Sequence, residues 1–136
     1  MTNLFIDTNI VIDLLAKREP FYEAAAKLFS LADRGKVKLC VSALTFANTN
    51  YVLSKMNNSS MSREILTKFK VLVVVVELND KIVELSLNDR SFSDFEDGLQ
   101  HYSALENEAD IIITRNLKDF KNSKIPAMTA QSYLTQ

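Results

Sequence analysis

The chain has 136 residues, 47% of them hydrophobic and 24% charged, with a formal net charge of -1. That length suits one domain with a sizeable core, residues 1–136, and the balance excludes a disordered chain and a strongly basic nucleic-acid binder. Two Gly, two Pro and a single Cys exclude collagen, low-complexity tracts and an internal disulfide.

In chain order, Leu4-Phe5-Ile6 is continuously apolar and predicts a strand buried on both faces. Pro20 to Arg34 predicts a helix, with Phe21, Ala24, Ala25, Leu28 and Leu31 on one face and Gly35 ending it. Lys38-Leu39-Cys40-Val41 is a second, weaker strand, with Cys40 in the core. Leu44 to Met56 and Ser62 to Phe69 follow as helices. Val71 to Val76 predicts another buried strand; it is the longest apolar run and is too short to span a bilayer. Asp80 to Leu87 is helical. Asp94 to Asn107 is the best-marked helix, with Ser93 as N-cap and Glu96 completing a capping box. Ile111-Ile112-Ile113 is a strand, and Ile125-Pro126-Ala127-Met128 a short edge strand. Alternating strands and helices predict an α/β fold with a mainly parallel sheet of four or five strands. No basic, apolar leader opens the chain and Cys40 stands alone, so a reducing cytoplasm is the expected location.

The acids fall where α/β sheets build sites. Asp7 directly follows the first strand; Thr114, Asn116 and Asp119 follow Ile111-Ile112-Ile113. Ligands bind at carboxyl ends of strands near a switch in strand order. Asp94 and Asp97, three apart, share a face at the start of their helix. Asp7, Asp97 and Asn116 are therefore expected to converge on one pocket, with Asp94, Asp119 or Asn48 at its rim. Clustered carboxylates repel, and Mg²⁺ or Mn²⁺, which prefer oxygen ligands, relieve that repulsion. Such a pocket suits phosphodiester hydrolysis. No Cys/His spacing for zinc and no Gly-rich phosphate loop competes.

Each acid also has a structural reading. Asp7 can cap the next helix, and Asp94 and Glu96 can favour a helix dipole. Asn116 and Asp119 suit a turn, and His101 a hydrogen-bonded or surface position rather than a general base. Arg115, Lys118, Lys121 and Lys124 recur every third residue, as a solvated face or as a rail for RNA phosphates.

Asp7-Thr8-Asn9 with Ile10, Val11, Ile12 and Leu14, then Ser42-Ala43-Leu44-Thr45, Asp94-Phe95-Glu96-Asp97 with Ala104 and Leu105, and Ile113-Thr114-Arg115-Asn116-Leu117-Lys118-Asp119-Phe120 together resemble the PIN domain family. Four motifs in order cover nearly the whole chain. They look most like the VapC-type toxin component of bacterial toxin–antitoxin pairs. The resemblance implies a three-layer α/β/α fold, a Mg²⁺- or Mn²⁺-dependent endoribonuclease, a small protein antitoxin and a homodimer. For the dimer, apolar surface is expected on the helices Leu44 to Met56, carrying Phe46, Tyr51 and Leu53, and Ser62 to Phe69.

Carried over by position, Asp7 matches the first acid and Asp97 the third. Asn116 stands where a fourth acid or Asn is usual, followed by Asp119. The catalytic set implied is Asp7, Asp97, Asn116, Asp94 and Asp119, with Asp7, Asp97 and Asp94 on the metal. Thr8, Asn9, Asn48 and Thr114 support it, and Arg115, Lys118 and Lys121 face RNA. The departure is Thr45-Phe46-Ala47-Asn48, where the family commonly places Glu at the last position. Asn carries no charge and accepts no proton from water, and Asp94 can compensate. A second reading is thus a weakened scaffold that binds RNA or a protein. A dehalogenase-type phosphohydrolase would need Asp at Asn9, and a receiver domain a Lys after Ile113, so both are set aside.

Overall fold

The computed structural model describes all residues, 1–136. Five strands form one sheet in the order β3-β2-β1-β4-β5, and every pairing is parallel. The strands are β1 (Asn3–Ile6), β2 (Lys38–Ser42), β3 (Val74–Val76), β4 (Ile111–Ile113) and β5 (Ala127–Met128). Helices α1 (Thr8–Leu15), α2 (Tyr22–Asp33), α3 (Ala43–Met56), α4 (Ser59–Lys70), α5 (Asp80–Asn88), α6 (Phe95–Glu106) and α7 (Ala130–Leu134) connect or follow them, with a 3₁₀ turn at Leu117–Phe120. β1 lies at the centre: the chain leaves it first toward β2 and β3, then returns to its other side as β4. The order therefore reverses between β1 and β4, where such sheets open a crevice.

Side chains alternate across the sheet, which splits the core into two layers. Leu4, Ile6, Leu39, Val41 and Ile113 face Ile10, Val11, Leu28, Phe29 and Phe69 of α1, α2 and α4. Phe5, Cys40, Val76 and Ile112 face Phe92, Ala104, Phe120 and Ile125 on the other side. Ile82 of α5 packs with Leu99 and Tyr102 of α6. The result is the three-layer α/β/α arrangement.

Several local details differ from the sequence expectation. Val71 to Val76 is not one buried strand. Helix α4 runs to Lys70, and its last turn continues through backbone bonds from Val71, Leu72 and Val73 to Lys68, Phe69 and Lys70. Only Val74–Val76 pairs with β2, as an edge strand with Val74 and Val75 exposed. Ser93 does not cap α6; Asp94 does, its Oδ1 accepting from the Glu96 N–H at 3.0 Å. Pro20 precedes α2 rather than opening it. Gly35 does end it: at φ +71° its N–H reaches Ala32 and that of Lys36 reaches Leu31, the paired bonds of a Schellman turn. Leu53 is a core residue, 1% exposed, and Phe46 is partly buried with its ring against Phe69, so the first offers no free apolar surface and the second only part of its ring. Tyr51 is exposed.

Asp13 on α1 escaped the sequence reading. It is fully buried and holds two arginines: Arg18 Nε at 3.0 Å on one oxygen, and Arg115 Nε at 2.8 Å on the other. Arg115 lies with its guanidinium 3.8 Å from the centre of the Phe21 ring. This cluster ties α1 and the start of α2 to the chain leaving β4. Removing the carboxylate strands two cations, whereas removing one arginine leaves the other. Asp13→Ala is expected to lower stability by about 3 kcal/mol, and Arg115→Met by clearly less, as read by urea unfolding.

Candidate active site

The crevice begins with Asp7. β1 delivers it to the sheet edge, and α1 starts at the next residue, so its side chain serves as the N-cap. Oδ1 accepts from the Thr8 N–H at 2.8 Å; Oδ2 accepts from the Thr114 hydroxyl at 2.8 Å, across the β1–β4 junction. Asp7 is 6% exposed, and burial raises its pKa above the ordinary carboxylate value. Hydrogen bonds from Thr114, the Thr8 N–H and Gln100 oppose that rise, and the charge on Asp119 adds to it. Thr114 Oγ1 also accepts the Asn116 N–H at 3.0 Å, which turns the chain after β4 so that Asn116 meets the crevice.

An open cleft of about 380 Å³ is lined by Asp7, Thr8, Asn9, Asn48, Asp94, Glu96, Asp97, Asn116 and Asp119, with Ile12, Tyr51 and Val52 as its apolar part. Asp97 is half-buried. Its pKa is pushed up to about 7, first by burial and then by repulsion from Asp94, Asp119, Asp7 and Glu96. These acids are therefore electrostatically one group, drawn from the ends of β1, β4 and α6.

Below the cleft lies a buried polar layer that the sequence did not announce. Thr8 and Thr45 share a hydroxyl–hydroxyl bond at 2.8 Å, and the Gln100 amide donates to Thr8 at 3.2 Å and to Thr45 at 3.4 Å. Gln100 sits one turn after Asp97 on the inner face of α6. The signal was thin: two threonines after strands and a glutamine inside an apolar helix.

Glu96 also departs from expectation. It makes no capping-box bond; it faces the cleft, where its Oε1 accepts from the Asn48 amide at 2.7 Å. Burial, then Asp94 and Asp7, raise its pKa.

The basic residues do not form one rail. Arg115 is turned away from the cleft onto Asp13 and Phe21. Lys118 and Lys121 flank a neighbouring depression with Asp119, Ser91, Ser93 and Asn122. A 3₁₀ turn has three residues per turn, so Lys118 and Lys121 fall on one edge while Arg115 and Lys124 lie beyond it. His101 is buried, stacked on Phe92 at 4.8 Å, and its Nε2 accepts the Lys124 N–H at 3.1 Å. Burial lowers its pKa, which suits a neutral core imidazole outside the cleft.

A model of the PIN domain matches residues 3–118. The chain belongs to the PIN domain family. Ribonuclease VapC1 of Aquifex aeolicus (strain VF5) is 25% identical over 134 residues, spanning 96% of this chain and 92% of that protein. The fold is shared with DNA-bound VapBC from Salmonella typhimurium, TM-score 0.73 at 17% identity over 96% of this chain and 99% of that one. VapBC-1 from nontypeable Haemophilus influenzae gives TM-score 0.73 at 20% identity, with 96% and 99% covered. No helix is long and apolar enough to cross a membrane.

The donor set suits a hard divalent cation in one particular way. Every polar side chain lining the cleft carries oxygen, and a positive charge would relieve the repulsion felt by Asp97. No three acids or imidazoles converge tightly enough to cage an ion by themselves. A cation held here would therefore draw on one or two carboxylates together with neutral oxygens and water.

An acid held at about 7 binds a proton that the unfolded chain has released just above the ordinary value of 3.8. Metal-free stability should therefore fall as pH rises between those two values and level off above them. Asp97→Asn removes this component. Urea unfolding in chelator at about pH 5 and about pH 8 should show a smaller loss in Asp97→Asn than in the parent.

Proposed function

We propose that this PIN domain is a metal-dependent endoribonuclease of VapC type, the toxin of a toxin–antitoxin pair, working in the cytoplasm with Mg²⁺ or Mn²⁺. The observation that carries the reading is the meeting of Asp7, Asp97 and Asn116, from three separate elements, in one acidic cleft at the strand-order reversal. Similarity to Ribonuclease VapC1 supports the chemistry, and the VapBC complexes among the structural relatives support an antitoxin partner.

In this reading Asp7 and Asp97 hold the cation, with Asp94 at the rim. When bound, that cation polarises the phosphoryl oxygen and makes water a better nucleophile. Thr114 and the Thr8 N–H keep both Asp7 oxygens oriented, and the Thr8–Thr45–Gln100 layer fixes the floor. Asn116 and Asp119 orient the scissile region from the β4 side, beside Asn9. Lys118 and Lys121 bind flanking phosphates, which lets a chain of net charge -1 hold RNA. Arg115 braces the loop that carries Asn116 rather than touching RNA.

Asp7→Asn and Asp97→Asn should each reduce RNA cleavage by at least about a hundredfold while leaving the far-UV spectrum unchanged. Lys118→Gln with Lys121→Gln should instead weaken RNA binding and flatten its salt dependence. Parental activity in both Asp variants would refute the reading. A parent that binds RNA without cleaving it would support the weakened-scaffold alternative.

A homodimer is proposed through α3 and α4, where Tyr51, Met56 and Met61 are exposed. Light scattering should then give twice the chain mass at micromolar concentration, and Tyr51→Glu with Met56→Glu should return it to one.

A further inference from the structure

Helix α3 enters the cleft through Asn48, one turn after Thr45, whose hydroxyl anchors the buried layer. A side-chain amide there can donate, but it brings no charge to a cation. Opposite it, α6 opens with Asp94, Glu96 and Asp97. Asp94 closes the helix N-terminus by itself, accepting the Glu96 N–H, so Glu96 is not needed as a cap. Its side chain instead crosses to α3, where the Asn48 Nδ2 donates to Oε1 at 2.7 Å. The two residues are 48 positions apart, so only tertiary structure joins them. This bond occupies one carboxylate oxygen and leaves Oε2 without a protein hydrogen bond, on a residue that lines the cleft with Asp7 and Asp97.

We infer that Glu96 is a working carboxylate of the cleft, oriented by Asn48, so that the negative charge α3 does not supply is delivered from α6. This rests on the metal-nuclease reading above. Asn48 is then a positioning residue and Glu96 a direct or water-mediated ligand of the cation. Its consequence is an order of dependence: Asn48 matters because of Glu96, and a carboxylate at position 48 is harmful while Glu96 is present. In the metal-free protein two acids would then meet at the distance now bridged by a hydrogen bond, and would repel unless they shared a proton.

The test is a four-member series read by Mn²⁺ calorimetry and by metal-free melting, with RNA cleavage alongside. Glu96→Gln keeps shape and hydrogen bond and should weaken Mn²⁺ binding by about tenfold or more. Asn48→Glu should lower the metal-free Tm through the new acid pair. The exchange Asn48→Glu with Glu96→Gln restores one acid and one amide across the same gap. It should bring back both the parental Tm and Mn²⁺ affinity to within about threefold, against the tenfold loss expected for Glu96→Gln alone. Asn48→Ala should weaken Mn²⁺ binding in the parent and have no further effect in Glu96→Gln. Parental Mn²⁺ affinity in Glu96→Gln, with loss in Asp7→Asn, overturns this inference and leaves the nuclease reading standing. Failure of the exchange to recover either quantity also overturns it. If the parent itself does not bind Mn²⁺, the metal-nuclease reading fails and takes this inference with it.

Discussion

Burial of the Asp7 carboxylate at the centre of the sheet is the constraint on which the rest of the molecule depends. A carboxylate out of water needs partners for both oxygens. Here one oxygen takes the first N–H of α1 and the other takes the hydroxyl that follows β4. These bonds hold three elements in one register: β1 carries the acid, α1 starts on it, and β4 must end where Thr114 can reach it. The parallel pairing of Ile6 with Ile113 places Thr114 beside Asp7. The same geometry that satisfies the charge leaves the mouth of the crevice open beside it.

Around that point the fold separates charge that must be neutralised from charge that must stay available. Asp13, one face further along α1, is closed off by two arginines and serves cohesion. The cleft acids are not paired in that way: no salt bridge reaches Asp7, Asp94, Glu96, Asp97 or Asp119. Asp7, Asp94 and Glu96 are held instead by a hydroxyl, a side-chain amide and the N-termini of α1 and α6, which orient carboxylates without pairing them to a cation. Burial first, and then the unpaired acids around it, raise the pKa of Asp97. In the proposed function, a cleft kept this way would draw a divalent cation, and the nearby lysines would carry the RNA phosphates that the acids repel.

Much of this was legible in the sequence. Continuous apolar runs marked β1 and β4, because strands buried on both faces need no polar alternation. An acid or hydroxyl immediately after each run located the site, because strand ends point at the crevice whatever the helices do. The ordered motifs supplied the family, and the family model covers residues 3–118. The strand ends also carried one side of the cleft lining, from Asp7 and Asn9 to Asn116 and Asp119.

What the sequence could not decide was direction and partnership. A run such as Val71 to Val76 is apolar in either state; whether it ends a helix or forms an edge strand depends on where α4 lies against β2. Spacing put Arg115 in line with Lys118 and Lys121, yet a buried Asp13 on α1 captured it, because an unpaired buried carboxylate outweighs any preference of an exposed arginine. Local rules gave Glu96 to the cap of its own helix; a shorter route for Asp94 and the amide of Asn48 redirected it across the cleft. Chain-local chemistry thus determined the strands, the helices and the residues at their ends. Long-range packing decided which of those residues face one another, since hydrogen bonds and charges answer to distance in space and not to separation along the chain.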